Sequence, residues 1–175
     1  MGRLIALEEL LELRAAWRRD GKRMVFTNGC FDLLHRGHVE YLQQAARLGD
    51  FLVVGLNSDE SVRRLKGEGR PIVPQEDRAT ILAALACVDY VVYFEQDTPA
   101  ELIHRLRPEV LVKGADYQIH EIVGHELVQA AGGQVVRIAL TPGRATRDVL
   151  ATILERFCHQ HEQKRQANKH TPPRE

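Results

Sequence analysis

Two histidines three residues apart are the groups in this sequence best placed to do chemistry. His35 and His38 follow a short apolar run that ends at Thr27, and Gly37 stands between them. An imidazole donates hydrogen bonds, and its ordinary pKa of about 6.5 lets it carry a positive charge beside a phosphate. Gly37 lets another group approach the backbone closely. These features favour an anion site of the kind that phosphate groups occupy.

The segments around the histidines predict that a helix begins there. A strand over residues 22–27 comes before them, and an amphipathic helix over residues 37–48 begins at them. The start of such a helix exposes unpaired N–H groups and carries about half a positive charge. The histidines could instead be a buried pair or half of a metal site. Cys30 and Asp32, the nearest further ligands, have no standard zinc spacing, so we predict that the pair binds phosphate and that there is no metal site.

Helices and strands alternate along the rest of the chain. The predicted helices cover residues 6–20, 37–48, 77–86, 99–106, 124–131 and 146–158, and the predicted strands cover residues 22–27, 51–56, 90–94, 110–113 and 134–140. Thr98 is expected to cap the fourth helix, with Pro99 as its first residue. The alternation predicts an α/β fold, a Rossmann-like open parallel sheet with helices on both faces. Such sheets bind ligands beyond the carboxyl ends of the strands, where the strand order reverses.

Composition excludes several classes of protein. The 175 residues include 24 Lys and Arg and 24 Asp and Glu, and this balance does not favour binding to nucleic acid or an anionic membrane. No apolar run is long enough to span a membrane, and the first residues are not a signal peptide. Three widely spaced cysteines indicate free thiols in a reducing compartment. We therefore expect a cytoplasmic protein with no nucleic-acid or membrane partner.

The sequence divides into three parts. Residues 1–23 are predicted to be an N-terminal helical extension, residues 24–158 the main domain, and residues 159–175 a flexible polar tail. The apolar face of the first helix is a candidate surface for a homodimer or a higher homo-oligomer.

The motifs of the main domain resemble those of a known superfamily. The run from Asn28 to Asp32, read as N-G-C-F-D, followed by His35-x-Gly-His38, resembles the signature of the cytidylyltransferase-like nucleotidyltransferases. Further matching segments are Asn57-Ser58-Asp59, Lys66-Gly67, Gly69-Arg70-Pro71, Asp77-Arg78, Leu111-Val-Lys113-Gly114-Ala-Asp116-Tyr117 and Gly132-Gly133. This ordered set is similar to the adenylyltransferase domain of the ADP-heptose synthase family. Many members fuse that domain behind a sugar kinase; because this chain has no room for one, it resembles the stand-alone form.

The resemblance implies an H-x-G-H nucleotidyltransferase fold and a reaction. AMP would pass from ATP to D-glycero-β-D-manno-heptose 1-phosphate, giving pyrophosphate and ADP-heptose, a precursor of the lipopolysaccharide core. Mg²⁺ would accompany ATP, held largely by phosphate oxygens and water. Two alternatives remain open at this point: a cytidylyltransferase acting on a small phosphorylated alcohol such as glycerol 3-phosphate, and a non-catalytic nucleotide-binding module.

The resemblance also assigns roles to individual residues. It implies that His35, His38 and Lys66 are catalytic, holding the ATP phosphates and neutralising their charge. The implied nucleotide-binding residues are Thr27, Asn28, Gly29, Phe31, Gly37, Lys113, Gly114, Arg144 and Thr146. The implied substrate-binding residues are Asp32, Arg70, Asp116 and Tyr117. Asp32 could instead orient its own loop, and Arg78 is interpreted as a structural residue.

One segment departs from the family pattern. Members commonly carry a Ser-Thr-Thr-like run before the last helix, whereas residues 143–148 here are G-R-A-T-R-D. Only Thr146 keeps a hydroxyl group, so Arg144 and Arg147 are candidates to supply phosphate contacts in its place.

Overall fold

Six parallel strands form one sheet in the computed structural model, which describes residues 2–143 and 145–169. The strands are β1 (Arg3–Leu4), β2 (Met24–Gly29), β3 (Phe51–Asn57), β4 (Tyr90–Phe94), β5 (Val110–Gly114) and β6 (Gln134–Ile138). The helices are α1 (Leu7–Arg19), α2 (Arg36–Ala46), α3 (Asp59–Lys66), α4 (Gln75–Ala84), α5 (Ala100–Leu106), α6 (His125–Ala130) and α7 (Thr146–Lys169), with a 3₁₀ turn at Ile119–Glu121. The predicted α/β Rossmann-like sheet is therefore confirmed.

Each face of the sheet is covered by a separate apolar core. Alternate residues of β3 point to opposite faces, so Leu52 and Val54 enter one core and Val53 the other. Helices α2 and α4 cover the first core, and α1, α5 and α6 cover the second. Burial on both faces explains why the strand sequences are continuous apolar runs.

The strand order is β1-β4-β3-β2-β5-β6. Successive strands are added on one side of β2 up to β4 and on its other side from β5 onward, so the strand order reverses between β2 and β5. β2 pairs with β3 along its whole length, from Met24 to Gly29. It pairs with β5 only at Val25 and Phe26, near the amino end. Beyond these two residues the strands part and leave a crevice between their carboxyl ends, which is where ligands bind in sheets of this kind.

The structure corrects several sequence-based expectations about helices. Thr98 does not cap α5: Pro99 holds the N-cap position, so Thr98 lies one residue too early to reach the free N–H groups. The last helix runs to Lys169 and not to residue 158, because the intervening Gln, Glu, Lys, Arg and Ala residues are good helix formers. Residues 159–169 of the predicted flexible tail, 159–175, are therefore helical, and residues 170–175 lie outside the described residues.

Helix α1 does not offer the exposed apolar face that we expected as a dimer surface. Leu10 and Trp17 are buried in the second core, and the Trp17 ring stacks on Phe51 with the ring centroids 4.2 Å apart. This face is therefore used within the chain. In the described part of the chain, none of the helices combines the length and the apolar character that a membrane span needs.

Candidate active site

The two histidines lie at the start of α2, directly after β2. His35 is the N-cap residue, and its Nδ1 accepts a hydrogen bond from the His38 backbone N at 3.3 Å. Its backbone is extended, as an N-cap requires. Gly37 is buried in the first turn between the two histidines. Because Nδ1 accepts, the proton of the neutral His35 ring sits on Nε2 and is free to be donated to a ligand.

The imidazole rings of His35 and His38 stack on each other. Their centroids are 3.8 Å apart and their planes are inclined by 19°. Burial and, to a smaller extent, the neighbouring His35 lower the pKa of His38 to about 4. Burial also lowers the pKa of His35, although the charge of Asp148 opposes this shift. Both rings are therefore largely neutral near pH 7 when no ligand is bound, which allows them to stack without charge repulsion.

Lys113 reaches across the crevice from the end of β5. Its Nζ donates a hydrogen bond to the Asn28 backbone oxygen at 3.1 Å and lies 5.6 Å from the centroid of the Tyr117 ring. Burial lowers the pKa of Lys113 to about 8. The ammonium group remains charged at neutral pH and keeps two more N–H donors for other acceptors.

Two buried polar atoms, one at the end of β2 and one in the first turn of α2, have no hydrogen-bond partner among the described residues. They are Asn28 Oδ1 and His38 Nδ1. Buried polar groups are normally paired, because an unpaired one costs about 1–3 kcal/mol. Unpaired groups near a partly buried lysine at a topological switch point indicate a site that is completed by a polar ligand.

Gly114 lets the chain turn tightly after β5. A Cβ atom on this residue would collide with Asp116 Oδ1 and would lie 3.1 Å from Leu140. The absence of a side chain thus lets the Asp116 carboxylate fold back over the end of the strand. Asp116 and Tyr117 are exposed, and they border the Lys113 side of the crevice.

Asp32 and Arg70, which the sequence assigned to the substrate, bind each other in this structure. Asp32 accepts from Arg70 Nε at 2.5 Å and from the backbone N–H groups of Ile72 and Val73 at 2.8 and 3.0 Å. The Asp32 carboxylate is thus fully used by the loop between α3 and α4, which agrees with its alternative reading as a loop-orienting residue.

Lys66, by contrast, is exposed at the last turn of α3. Burial raises the pKa of the Cys30 thiol, and the Lys66 ammonium is foremost among the charges that oppose this shift. That influence places its charge near the segment after β2. Gly67 follows with a φ of 87°, a left-handed conformation that ends the helix and that glycine adopts without strain.

The first turn of α7 carries Asp148, the carboxylate whose charge opposes the lowering of the His35 pKa. The Ala145 backbone N donates to Asp148 Oδ2 at 2.8 Å, and Thr146 is the first residue of the helix. Glu40 of α2 accepts a hydrogen bond from the hydroxyl group of Thr141, which ties the preceding loop to α2. Arg144 lies outside the described residues. The Arg147 side chain is 90% exposed and faces Asp148, so it does not contact the histidines here.

Thr27 has a structural role that its sequence position did not reveal. Its hydroxyl group is hydrogen-bonded to Tyr41 Oη at 2.7 Å, and the residue is completely buried. Its side chain therefore packs α2 against β2 in the free protein. No three His, Cys, Asp or Glu side chains converge as metal ligands within the described ranges.

The comparisons with known proteins assign the class first. A model of the cytidylyltransferase-like family matches residues 26–144, which include β3 to β6, the two histidines and the crevice. The chain belongs to the cytidylyltransferase-like family. The resemblance found in the sequence motifs is thus confirmed.

Individual curated proteins have high sequence identity to this chain. Bifunctional protein HldE of Syntrophotalea carbinolica is 57% identical over 152 residues, which are 87% of this chain and 30% of that protein. Bifunctional protein HldE of Geobacter sulfurreducens is 57% identical over 151 residues, 86% of this chain and 31% of that one. The chain therefore spans about three tenths of the length of these curated relatives.

Two solved structures share the architecture. A lipopolysaccharide core biosynthesis protein from Thermoplasma volcanium superposes with a TM-score of 0.56 at 26% identity, covering 69% of this chain and 98% of that one. Pantothenate synthetase from Thermus thermophilus superposes with a TM-score of 0.54 at 20% identity, covering 78% of this chain and 61% of that one. The second likeness shows a common fold only.

Proposed function

We propose that this domain transfers AMP from ATP to D-glycero-β-D-manno-heptose 1-phosphate, releasing pyrophosphate and ADP-heptose. The observation that carries the proposal is the stacked pair of His35 and His38 at the start of α2, directly after β2, where Lys113 of the neighbouring strand β5 bonds to Asn28. The choice of sugar is supported by the ordered motifs of the ADP-heptose synthase family and by the high identity to the HldE proteins. The likeness to a lipopolysaccharide core biosynthesis protein supports it further.

The reaction needs positioning and charge stabilisation more than a general base. An oxygen of the sugar 1-phosphate attacks the α-phosphorus of ATP, the bond from that phosphorus to the bridging oxygen breaks, and pyrophosphate leaves with the electron pair. The nucleophile is already an anion, so no side chain has to deprotonate it. The protein has to bring two polyanions together and to stabilise negative charge at the transferring phosphorus.

The histidines suit that task because their charge responds to the ligand. Both rings are largely neutral in the free protein, since burial lowers their pKa values. A bound triphosphate raises the pKa of a neighbouring imidazole, because it favours the charged form. In this proposal ATP binding draws protons onto His35 and His38, which then donate to the phosphate oxygens together with the N–H groups at the start of α2.

The opposite wall of the crevice supplies the remaining contacts. Lys113 donates to phosphate oxygens of the nucleotide, and Asp116 accepts a hydrogen bond from a hydroxyl group of the sugar or the ribose. Tyr117 covers the ligand beside the Lys113 ammonium. Lys66 adds a cationic group at the last turn of α3, and Arg70, paired with Asp32, lies in the loop that follows. Mg²⁺ arrives as part of the substrate MgATP, bound by phosphate oxygens and water.

ATP and a sugar phosphate are the partners that this proposal requires, and both place the reaction in the cytoplasm. The balanced charge of the chain agrees with small anionic substrates in place of nucleic acid.

The test is release of pyrophosphate by the purified protein. The protein is incubated with MgATP and heptose 1-phosphate, with parallel reactions that lack the sugar or replace the pair by CTP and glycerol 3-phosphate. Turnover that depends on heptose 1-phosphate supports the proposal. Turnover only with CTP and glycerol 3-phosphate would instead make the protein a cytidylyltransferase, and tight ATP binding without turnover on any acceptor would make it a nucleotide-binding module.

A further inference from the structure

Phe31 has a backbone conformation that is unusual for a bulky residue. Its φ of 45° lies in the left-handed region, which large side chains avoid at a cost of about 1–3 kcal/mol. The residue lies between the end of β2 and the two histidines. A strained conformation persists only where its surroundings impose it, so the contacts on either side of Phe31 have to supply the constraint.

Arg78 supplies the constraint on the amino side. This arginine is 1% exposed and lies in α4. It donates to the Cys30 backbone oxygen at 2.5 Å, to the Val73 backbone oxygen at 3.0 Å and to Asp59 Oδ1 at 2.7 Å. One guanidinium group therefore joins the end of β2, the loop before α4 and the first residue of α3.

Asp32 supplies the constraint on the carboxyl side. Its carboxylate accepts from the backbone N–H groups of Ile72 and Val73, in the same loop that Arg78 holds through the Val73 carbonyl. Cys30 and Asp32 are consequently both fixed to one rigid support. Phe31, which joins them, has little freedom to leave the left-handed conformation.

The constrained residue places an aromatic ring against a histidine. The Phe31 side chain is buried, and its ring centroid lies 5.1 Å from that of His38 with the planes inclined by 59°. His38 also stacks on His35. The Phe31 ring thereby contributes to the burial of His38 and limits the directions in which the imidazole can turn.

We infer that Arg78 is a positioning residue for the proposed reaction: acting through Cys30 and the strained Phe31, it holds the His38 imidazole in the crevice. The hydrogen bonds of Arg78 go to Cys30, Val73 and Asp59 and not to either histidine. The inference rests on the proposed function only for its effect on turnover, because its effect on the His38 ring is present in the free protein.

The chain offers a matched control for this inference. Arg14 is also buried, and it likewise donates to two backbone oxygens and one carboxylate: Leu106 at 3.0 Å, Arg107 at 2.8 Å, and Glu109. Its partners lie at the end of α5 and in the residues just before β5, at the edge of the sheet opposite to the histidines. Replacing either arginine by lysine keeps the charge and removes the planar group that binds several acceptors at once.

The experiment compares Arg78→Lys with Arg14→Lys by three measurements: the melting temperature, kcat/KM for pyrophosphate release, and the His38 pKa from an NMR titration of its ring proton. We expect both variants to lower the melting temperature. Only Arg78→Lys should lower kcat/KM, by about a hundredfold, as displacement of a reacting group by about 1 Å can do. Only Arg78→Lys should move the His38 pKa from about 4 towards its ordinary value of 6.5.

Two results would overturn the inference. One is a folded Arg78→Lys protein with wild-type turnover and an unchanged His38 titration. The other is an equal loss of turnover and an equal His38 shift in Arg14→Lys, since general destabilisation would then explain both.

If Arg78→Lys does not fold, a second variant tests whether the His38 ring is positioned through Phe31. Phe31→Leu keeps an apolar side chain in the core and removes the ring that contacts His38. We expect it to raise the His38 pKa and to lower kcat/KM; no change in either would refute the inference. If the wild-type protein shows no turnover with any substrate, the proposed function fails, whereas the titrations still test the positioning role on their own.

Discussion

The two ends of the β2–β5 strand pair use buried polar groups in opposite ways. At the amino end, Arg14 donates to Glu109 and to two backbone oxygens, and Glu109 also accepts from the Met24 backbone N at 2.8 Å. One Arg14 nitrogen, Nη1, lacks a partner among the described residues. At the carboxyl end, Asn28 Oδ1 and His38 Nδ1 are buried without a partner there. Arg14 is nevertheless held by Glu109 and two backbone oxygens, whereas no described residue pairs with the Asn28 and His38 atoms, and these are left for a ligand.

Strand pairing explains this difference. β2 and β5 are hydrogen-bonded at Val25 and Phe26 and separate beyond them, so the amino end is closed by the sheet itself. At the carboxyl end, where the strands have separated, a ligand can meet backbone and side-chain groups from both of them. Lys113 is the side chain that bridges the opening.

Among the substitutions that distinguish the two ends of the β2–β5 pair, His38→Ala is expected to have the largest effect, a loss of turnover. Loss of one well-placed donor to the transferring phosphate reduces kcat by about a hundred- to a thousandfold. Because His38 is only partly buried, the melting temperature should change little. The measurement is pyrophosphate release, with His104→Ala, an exposed histidine on α5, as the control. Near wild-type turnover of His38→Ala would remove this histidine from the mechanism.

At the amino end, Glu109→Ala should affect stability and leave catalysis unchanged. The substitution leaves the buried Arg14 guanidinium without its carboxylate, which costs about 3 kcal/mol in the free energy of unfolding. Urea unfolding measures this loss, with Glu101→Ala on the surface of α5 as the matched control. A kcat reduced tenfold in the folded variant would show that this end also serves the reaction.

Of the two ends of the strand pair, only the carboxyl end with its histidines should make the free energy of unfolding depend on pH. The pKa of His38 is about 4 in the folded protein and 6.5 ordinarily, so the unfolded chain binds more protons between these values. The free energy of unfolding should therefore fall as the pH is lowered, by about 2 kcal/mol from pH 7 to pH 5. His38→Asn should remove this part of the acid sensitivity. Equal acid sensitivity in the variant and the wild type would contradict the burial of the ring.

The smallest of the four effects concerns Lys113 and alkaline pH. Its pKa of about 8 in the free protein means that the ammonium group loses its proton above that pH, and a bound phosphate opposes the loss. ATP affinity should consequently fall about tenfold from pH 7.5 to pH 9.5, measured by calorimetry. Lys113→Arg keeps its charge over this range and should abolish the fall. A slope unchanged in this variant would place the titrating group elsewhere.

Much of the fold could be predicted because the strands are apolar on both faces. The limits of β4, Tyr90–Phe94, coincide with the prediction, and the other predicted strands differ only at their ends. Strand β1 was missed since two residues carry no periodic pattern. Helix α3, Asp59–Lys66, was missed because most of its residues are polar and its apolar face is narrow.

The candidate site could be located from the sequence but not assembled from it. The spacing of His35 and His38 after an apolar strand indicated the start of a helix, and the structure places them there. The pairing of Asp32 with Arg70 joins residues 38 positions apart, and no local pattern encodes it. The left-handed conformation of Phe31 could not be predicted either, because only glycine and a few short polar residues commonly adopt such a backbone.

Binding of MgATP followed by NMR tests the central claim most directly. The claim is that the carboxyl end of the β2–β5 pair, and not the amino end, receives the triphosphate. On addition of MgATP, the backbone amide signals of Asn28, His38 and Lys113 should shift, and those of Met24 and Glu109 should stay in place. Shifts confined to Met24 and Glu109, or no shift near the histidines at saturating MgATP, would contradict the account.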